Sequence, residues 1–441
     1  MESPKAAGRS QEGSALKDQA ARSRNGRIFG PGLVHLLGSV GPNDLIANSV
    51  AGATYGYSLL WAVVVAYLLN YAIAEASSRY VVATGESITE GYGRLGRPVV
   101  FLLAVAIFVR RHLNNLALVL LLGASVHMLI PLPAGGSATI WSAVWFALAF
   151  ALMFRGGYRG VERFAKVLLV GLGGSFAMVA VLAQPEPAAV LRGLLLPSFP
   201  DQQGIYSHFL VLMAVAGSAM GSINHLKYPA FVYEKGWRGI DVWQPQRIDL
   251  ALSVSGQLLM AVLIQIAAAA TLHGRGAEIR TIEDLSRVFS EPLGEPGRIV
   301  IGVGLWLSVF TTYIGSNTGY SLIVADICER FVARFRQKAV HAREAMRRRI
   351  YRVLVTFFCW SPLYVLFTAW EPVRLSIFTG ALFLVLSPLV LAGLLLLTSN
   401  RELMKNRASG VVSRAGLGVA IVVSLYLTWQ NAFELTGKLN R

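Results

Sequence analysis

Long apolar runs dominate the chain and recur at intervals typical of membrane-spanning helices. The runs are long enough to cross about 30 Å of hydrocarbon as helices, except that the fourth is short and would have to extend into its loop. The runs cover residues 29–54, 57–82, 98–128, 139–154, 160–183, 205–233, 246–272, 298–327, 350–369, 373–397 and 414–434. This pattern predicts an all-α polytopic membrane protein with about eleven transmembrane helices.

Two of these runs are interrupted by residues that form helices poorly. The first is broken at Gly41-Pro42-Asn43-Asp44, and the sixth is broken near residues 221–225. Proline has no amide donor, and glycine loses entropy when it is ordered. Non-helical backbone at membrane depth is tolerated where it lines a cavity, and paired breaks are typical of transporter binding sites. The spacing predicts two inverted repeats of five helices, about 28–183 and 205–397, with helix 11 outside them.

Composition and charge agree with a membrane protein. The 441 residues are 54% hydrophobic and 15% charged, against about 25% charged in ordinary soluble domains. Most Lys and Arg residues fall on one side of the predicted spans, which places the N-terminus in the cytoplasm of a plasma membrane protein. We therefore expect a disordered cytoplasmic tail at 1–27, a transporter core at 28–397, and a cytoplasmic loop with helix 11 at 398–441. The net charge of +16 then needs no nucleic acid partner.

The two breaks supply the candidate binding residues for a cation near the membrane midplane. Side-chain and backbone oxygens suit a hard ion, and the candidates are Gly41, Asn43, Asp44, Met220, Gly221 and Asn224. Asp44 has an alternative role, because a carboxylate there can instead cap the second half of the broken helix. Both roles stay open on the sequence.

Smaller local signals predict contacts elsewhere. Thr281 to Asp284 fits a capping pattern for one amphipathic helix in an external loop, and Glu75 lies four residues before Arg79, as in a helical ion pair. Thr312, Tyr313, Ser316 and Asn317 form a polar stripe on helix 8, which lines the pathway or satisfies hydrogen bonds between helices. Cys328 and Cys359 are far apart in sequence, so no disulfide framework is indicated.

Several segments, in order, resemble the Nramp family of proton-coupled divalent metal transporters. They include GPGLVHLLGSVGPND (30–44), AGATYGYSLLW (51–61), VVATGES (81–87), PQRIDLALSVSG (245–256) and LTSNRELM (397–404). The resemblance covers most of the chain. It implies a LeuT-like fold, with a divalent metal as cargo and no resident cofactor.

The chain departs from the family at the metal ligands. The family's first break reads Asp-Pro-Gly-Asn, whereas here Gly41 opens the motif and the carboxylate stands at the fourth position, Asp44. The family's Met-Pro-His in helix 6 corresponds to Gly221-Ser222-Ile223, so the soft thioether ligand is lost. We therefore expect a shift towards hard ions such as Mg²⁺ or Mn²⁺, or away from metals.

Helix 3 departs most, in the stretch AVAIFVRRHLNNLAL. Val105, His112 and Asn115 occupy positions where the family carries proton-conducting carboxylates, beside two adjacent arginines. The family's proton route is therefore expected to be absent, although a histidine can titrate near neutral pH. The candidates for the pathway or for coupling are Arg110, Arg111, His112, Asn115 and His225.

The sequence thus predicts a secondary transporter for a divalent cation, working by alternating access as a monomer in the lipid bilayer. The alternative is a carrier of an organic or anionic solute on the same scaffold, which the intramembrane Arg110, Arg111 and Lys227 favour. A non-transporting sensor built on a decayed transporter has little support. No motif indicates an enzyme.

Overall fold

Helices make up the regular structure of the computed structural model. The structure describes residues 30–39, 41–133, 136–155, 171, 173–200, 204–221, 224–276, 278–331 and 340–439, and these contain no strand. The predicted tail at 1–27 lies outside the described residues, as does most of the fifth predicted span before residue 171.

The helices of the first half precede the second break. They are α1 (Pro31–Ser39), α2 (Pro42–Tyr55), α3 (Leu60–Thr84), α4 (Ile88–Arg94), α5 (Arg97–Leu129), α6 (Ser137–Arg155), α7 (Gly173–Leu182), α8 (Pro187–Leu195) and α9 (His208–Met220).

The helices of the second half follow that break. They are α10 (Lys227–Glu234), α11 (Trp243–Leu272), α12 (Ile282–Leu293), α13 (Glu295–Phe331), α14 (Val340–Trp360), α15 (Pro372–Val385), α16 (Ser387–Ser399), α17 (Arg401–Met404) and α18 (Val411–Leu439).

Within the described residues, eight helical segments are long and apolar enough to cross a membrane. They coincide with eight of the predicted runs, which confirms an all-α membrane protein. The first and sixth runs each form two shorter helices, α1 with α2 and α9 with α10, because the chain is broken within them.

The first break is shorter than its sequence suggests. Gly41 is extended (φ −107°, ψ 173°), and α2 resumes at once with Pro42. Asn43 and Asp44 therefore belong to the first turn of α2, and the prediction of an interruption through residue 44 was wrong. Proline is well accommodated at the first helical position, where its missing amide proton has no helical partner to lose.

The second break lies where it was predicted. α9 ends at Met220, Gly221 caps it, and a short 3₁₀ turn from Asn224 to Leu226 leads into α10. Residues 222 and 223 lie outside the described part of the chain. The first half-helix ends and the second half-helix begins within the bundle, and nearly every residue of α2 and α9 is buried.

Two glycines allow the broken helices to approach their neighbours closely. A Cβ on Gly52 of α2 would lie 2.3 Å from the carbonyl oxygen of Gln265 on α11. A Cβ on Gly217 of α9 would lie 2.1 Å from the carbonyl oxygen of Gly380 on α15. Any side chain at either position would push the helices apart, so glycine fixes where α2 and α9 sit.

The predicted local contacts are present. Thr281 and Asp284 form a reciprocal cap at the start of α12, with hydrogen bonds of 3.2 and 2.9 Å. Glu75 and Arg79 form an ion pair of 3.4 Å on α3. Cys328 and Cys359 are both free thiols.

Candidate functional site

A small polar cavity lies beside the first helix break. Its volume is about 40 Å³, enough for a few water molecules or a partly hydrated ion. Side chains and backbone from α1, α2, α5, α9, α10, α13 and α15 line it: Ser39, Gly41, Pro42, Asn43, Asp44, Arg110, Arg111, Asn114, Ser218, Lys227, Thr312, Ser316, Tyr320 and Phe383.

Asp44 enters the cavity with its carboxylate partly engaged. The hydroxyl of Tyr67 donates to Oδ1 at 3.1 Å, and the amide of Gly41 lies 3.5 Å from Oδ2. The second contact reaches back to the residue that precedes α2, as a capping carboxylate does, but it is long for a hydrogen bond. Asp44 thus combines contacts at the start of α2 with a position on the cavity wall.

Asn43 links three helices at the same wall. Its Nδ2 donates to Asn114 Oδ1 on α5 at 2.9 Å, and its Oδ1 accepts from the Ser376 hydroxyl on α15 at 3.0 Å. Both ends of the amide are therefore used, and its carbonyl oxygen keeps one further lone pair for a solute.

Three cationic side chains surround the ring of Tyr320 on α13. The guanidinium carbons of Arg110 and Arg111 lie 5.9 and 6.0 Å from the ring centroid, and Nζ of Lys227 lies 5.8 Å away. These distances are within the range of cation–π attraction. Three positive groups from two different helices thus meet around one aromatic ring.

The two arginines are held by different neighbours. Arg110 stacks on the ring of Phe383 at 4.0 Å. Arg111 donates through Nε and Nη2 to Asn115 Oδ1, with the Nε contact at 3.0 Å. Adjacent positions on a helix point about 100° apart, and the long side chains nevertheless bring both guanidiniums to the same cavity.

Asn115 and His112 do not line this cavity. Asn115 donates to Asn317 Oδ1 at 2.9 Å and to the Phe358 carbonyl at 2.7 Å, so it anchors Arg111 from behind. His112 lies 2.9 Å from the Ser361 hydroxyl and stacks on Tyr364. Both occupy hydrogen-bonded positions between α5 and the end of α14.

Three residues predicted at the second break, Met220, Gly221 and His225, are not among the described residues that line the cavity. Met220 is buried at the end of α9, and Gly221 caps that helix against Phe383. His225 is buried, with Nε2 3.5 Å from the Tyr92 hydroxyl. The backbone of Asn224 begins the 3₁₀ turn, and its side chain lies outside what the structure describes. The cavity therefore gathers Gly41, Asn43, Asp44, Arg110 and Arg111 from the predicted set.

Sequence reasoning did not single out Asn114, Ser218, Tyr320 or Phe383 as site residues. Two of them carried a signal. Asn114 lies one helical turn after Arg110, and Tyr320 continues the spacing of Thr312 and Ser316 by one more turn. The polar stripe predicted on the eighth span lies on α13. Thr312 and Ser316 of this stripe line the cavity, and Asn317 accepts a hydrogen bond from Asn115.

A larger vestibule adjoins the cavity. Its volume is about 370 Å³, and it shares Lys227, Ser316 and Tyr320 with the cavity. It extends along α10 and α13 to the region where α3 turns into α4, reaching Thr89 and Arg330. The cavity therefore borders a wider space towards one face of the bundle.

That face carries an ordered loop. Glu86 accepts hydrogen bonds from Arg94 Nε at 2.9 Å and from the Tyr80 hydroxyl at 2.7 Å. The Arg94 guanidinium beside Glu86 holds the pKa of that carboxyl below its usual range. The loop is thus fixed by a charge-assisted contact.

The described cavity wall offers oxygen donors to a metal ion. Within the described part of the chain, no three His, Cys, Asp or Glu side chains are grouped as metal ligands. The cavity offers one carboxylate, two amide side chains and several hydroxyls, which are hard oxygen donors. No methionine is among the described residues of its wall, so these supply no soft thioether ligand.

Known proteins resemble this chain over most of its length. A divalent metal cation transporter, MntH, of Klebsiella pneumoniae is 26% identical over 96% of both chains. The MntH divalent metal cation transporter of Chromohalobacter salexigens is 27% identical over 69% of this chain and 74% of its own.

Solved structures show the same architecture. The manganese transporter of Eremococcus coleocola aligns with a TM-score of 0.66 at 16% identity, over 90% of this chain and 84% of that chain. MhsT in complex with L-phenylalanine aligns with a TM-score of 0.57 at 14% identity, over 90% and 97%. These likenesses establish the LeuT-like arrangement of helices.

The family model for natural resistance-associated macrophage protein-like sequences matches residues 32–432. This match includes both broken helices and the arginine-bearing helix α5. The chain therefore belongs to the Nramp family.

Proposed function

We propose that this chain is a secondary transporter that carries a small ion by alternating access through the cavity beside the first helix break. The observation that carries the proposal is a cavity of about 40 Å³ at that break, bordered on one side by a wide vestibule. A cavity of this size in the present conformation suits an ion with few waters.

A divalent cation is the first candidate for the cargo. Relatives named as divalent metal cation transporters and a structural neighbour named as a manganese transporter support it. Asp44 would supply the charged ligand, with oxygens from Asn43, Asn114 and Ser218. These are hard donors, and Met220 lies outside the wall, so Mg²⁺ or Mn²⁺ is the preferred ion.

An anionic solute is the second candidate. Arg110, Arg111 and Lys227 line the same cavity as Asp44, so cationic side chains outnumber the carboxylate there. Arginine stays protonated at physiological pH, and the two guanidiniums alone repel a divalent cation. This charge balance is the specific observation that favours the anion.

Transport proceeds without the proton route of the family. Asn115 and His112 stand where the family carries carboxylates, and both are held in hydrogen bonds away from the cavity. A neutral amide cannot relay a proton as a carboxylate does. A cation cargo would then move down its own electrochemical gradient, without a coupled proton.

The protein works as a monomer in the plasma membrane, with its N-terminus in the cytoplasm and no resident cofactor. The vestibule reaches the loop that follows α3, which the distribution of Lys and Arg assigns to the cytoplasm. The present conformation is then inward-facing.

Ion uptake into proteoliposomes tests the proposal. The full chain is reconstituted with a metal-sensing dye or with a pH-sensing dye inside, and Mg²⁺ and Mn²⁺ are added outside. We expect uptake of at least one ion without acidification. Uptake of neither ion contradicts the cation cargo, and uptake with acidification contradicts the loss of proton coupling.

Asp44→Ala tests the ligand assignment in the same assay. It should abolish cation uptake, because it removes the carboxylate from the cavity wall. Asp241→Ala is the matched control, since Asp241 is an exposed aspartate outside the cavity. Equal uptake by both variants would show that Asp44 is not a ligand.

A further inference from the structure

We infer that a small inorganic anion binds in the cavity beside the first helix break, hereafter the central cavity. Its binding site is formed by Arg110, Arg111 and Lys227, which are grouped around the ring of Tyr320. The inference rests on the proposed function for the location of the site, and it names the chemistry that the site recognises.

The described cavity wall is predominantly cationic. Among the described residues that line it, Asp44 is the one carboxylate, while three side chains are cationic. Arg110 and Arg111 are 7% and 2% exposed, so water screens them poorly. Burying like charges together is costly unless an opposite charge compensates them. A bound anion supplies that compensation.

The described cavity wall is also rich in hydrogen-bond donors. Guanidinium and ammonium groups only donate hydrogen bonds. Tyr320 lines the same cavity and is 4% exposed, and its hydroxyl has no hydrogen-bond partner among the described residues. Thr312 also lines the cavity, and within the described part of the chain its hydroxyl likewise has no partner. An anion accepts hydrogen bonds, so both hydroxyls can donate to an anion bound in the cavity.

Neighbouring side chains hold the two arginines in place. Phe383 fixes the Arg110 guanidinium from one side at 4.0 Å. Asn115 holds Arg111, and Asn115 is itself held by Asn317 and the Phe358 carbonyl. Side chains fixed in this way lose little further entropy when a ligand binds. The site is therefore preorganised.

The size of the cavity limits the ligand. About 40 Å³ leaves room for a halide or a small oxyanion and excludes an organic anion in this conformation. Both kinds share the chemistry that the wall offers, a compact negative charge that accepts several hydrogen bonds. Chloride and phosphate serve as the probes for the two kinds.

Equilibrium binding tests the inference. The purified full chain in lipid nanodiscs is equilibrated in gluconate buffer with radioactive chloride or radioactive phosphate, and bound counts are measured. We expect saturable binding of one of the two probes at one site per chain. Absence of saturable binding for both probes overturns the inference.

Variants connect the binding to the three cations. Arg110→Met and Lys227→Met should each weaken binding by roughly 30-fold or more, as loss of a buried charge contact does. Tyr320→Phe should weaken it by roughly fivefold through loss of one hydroxyl. Arg374→Met is the matched control, because Arg374 stacks on Phe378 but is exposed and outside the cavity. Equal affinities in Arg110→Met and Arg374→Met overturn the inference.

Asp44→Asn separates electrostatics from damage to the fold. Removing the one carboxylate should tighten anion binding by roughly tenfold while cation uptake is lost. A misfolded variant would lose both, and weaker anion binding in a variant that elutes as the wild type does overturns the inference. Failure of the proposed transport would instead appear as anion binding without any ion movement across the membrane.

Discussion

Two groups of charged side chains in this molecule differ in how their charge is balanced. In the first, the inner network, Arg330 pairs with Glu90 and with Asp326, and Thr89 donates to Asp326 at 2.7 Å. In the second, the central cavity, three cationic side chains share the wall with Asp44.

The difference separates structure from function. In the inner network the protein supplies the opposite charges itself, so the network joins α4 to α13 without any ligand. Among the described residues that line it, the central cavity carries more positive than negative side chains, and they surround a space of about 40 Å³. An excess of cationic side chains around a buried cavity is a marker of a binding site.

Reversing one charge in the central cavity should give the largest effect. Arg110→Glu replaces a cation by a carboxylate and makes the two signs equal. We expect anion binding to weaken by roughly 100-fold or more, because like charges then oppose the ligand. Uptake of Mn²⁺ should rise at the same time. Unchanged affinity for both ions would remove the distinction between the two groups.

Neutralising the inner network should affect stability and leave ion binding unchanged. Arg330→Met leaves Glu90 and Asp326 facing each other without their shared cation. We expect the free energy of unfolding to fall by about 1–3 kcal/mol, measured by denaturant titration in detergent. The exposed Arg97→Met is the control and should change it by less than about 0.5 kcal/mol. A loss of ion binding in Arg330→Met would contradict the separation.

Removing the partner of Asp44 should have a smaller effect. Tyr67→Phe deletes the hydroxyl that donates to Oδ1 at 3.1 Å and should lower the free energy of unfolding by about 1 kcal/mol. Tyr71→Phe, one turn further along α3, is the matched control. Equal unfolding free energies in the two variants would mean that the Tyr67 contact adds nothing to stability.

The loop near the inner network should show the smallest effect, and it depends on pH. The Arg94 guanidinium lowers the pKa of the Glu86 carboxyl in the folded state. The contribution to stability is therefore fully present above the usual glutamate pKa and is lost as pH falls below it, through the lower folded pKa. Because the pair is partly exposed, we expect a few tenths of a kcal/mol. Glu86→Gln should abolish this part of the acid dependence, and an identical acid profile in both proteins would contradict it.

Local patterns made the fold predictable from the sequence. Hydrophobic runs, helix caps such as Thr281 with Asp284, and the glycine and proline of the breaks act over a few residues, so a single chain segment reveals them. The same holds for the ion pair of Glu75 with Arg79, which one helical turn defines.

The site was only partly predictable, because it depends on contacts between helices distant in sequence. Asp44 and Arg110 stood out as charges within apolar spans. Tyr320 did not, since its importance comes from three cations that approach it from α5 and α10. Met220 was a candidate for binding and His225 for the pathway, and neither is among the described residues that line the cavity.

The sequence by itself thus determined the membrane-spanning helices, the two breaks, and the presence of Asp44, Arg110, Arg111 and Lys227 within the bundle. The tertiary structure alone decided that these charges share one cavity and that Asn115 and His112 lie outside it. The physical reason is that helix formation and membrane insertion follow from neighbouring residues. Which buried faces meet depends on how all the helices pack together.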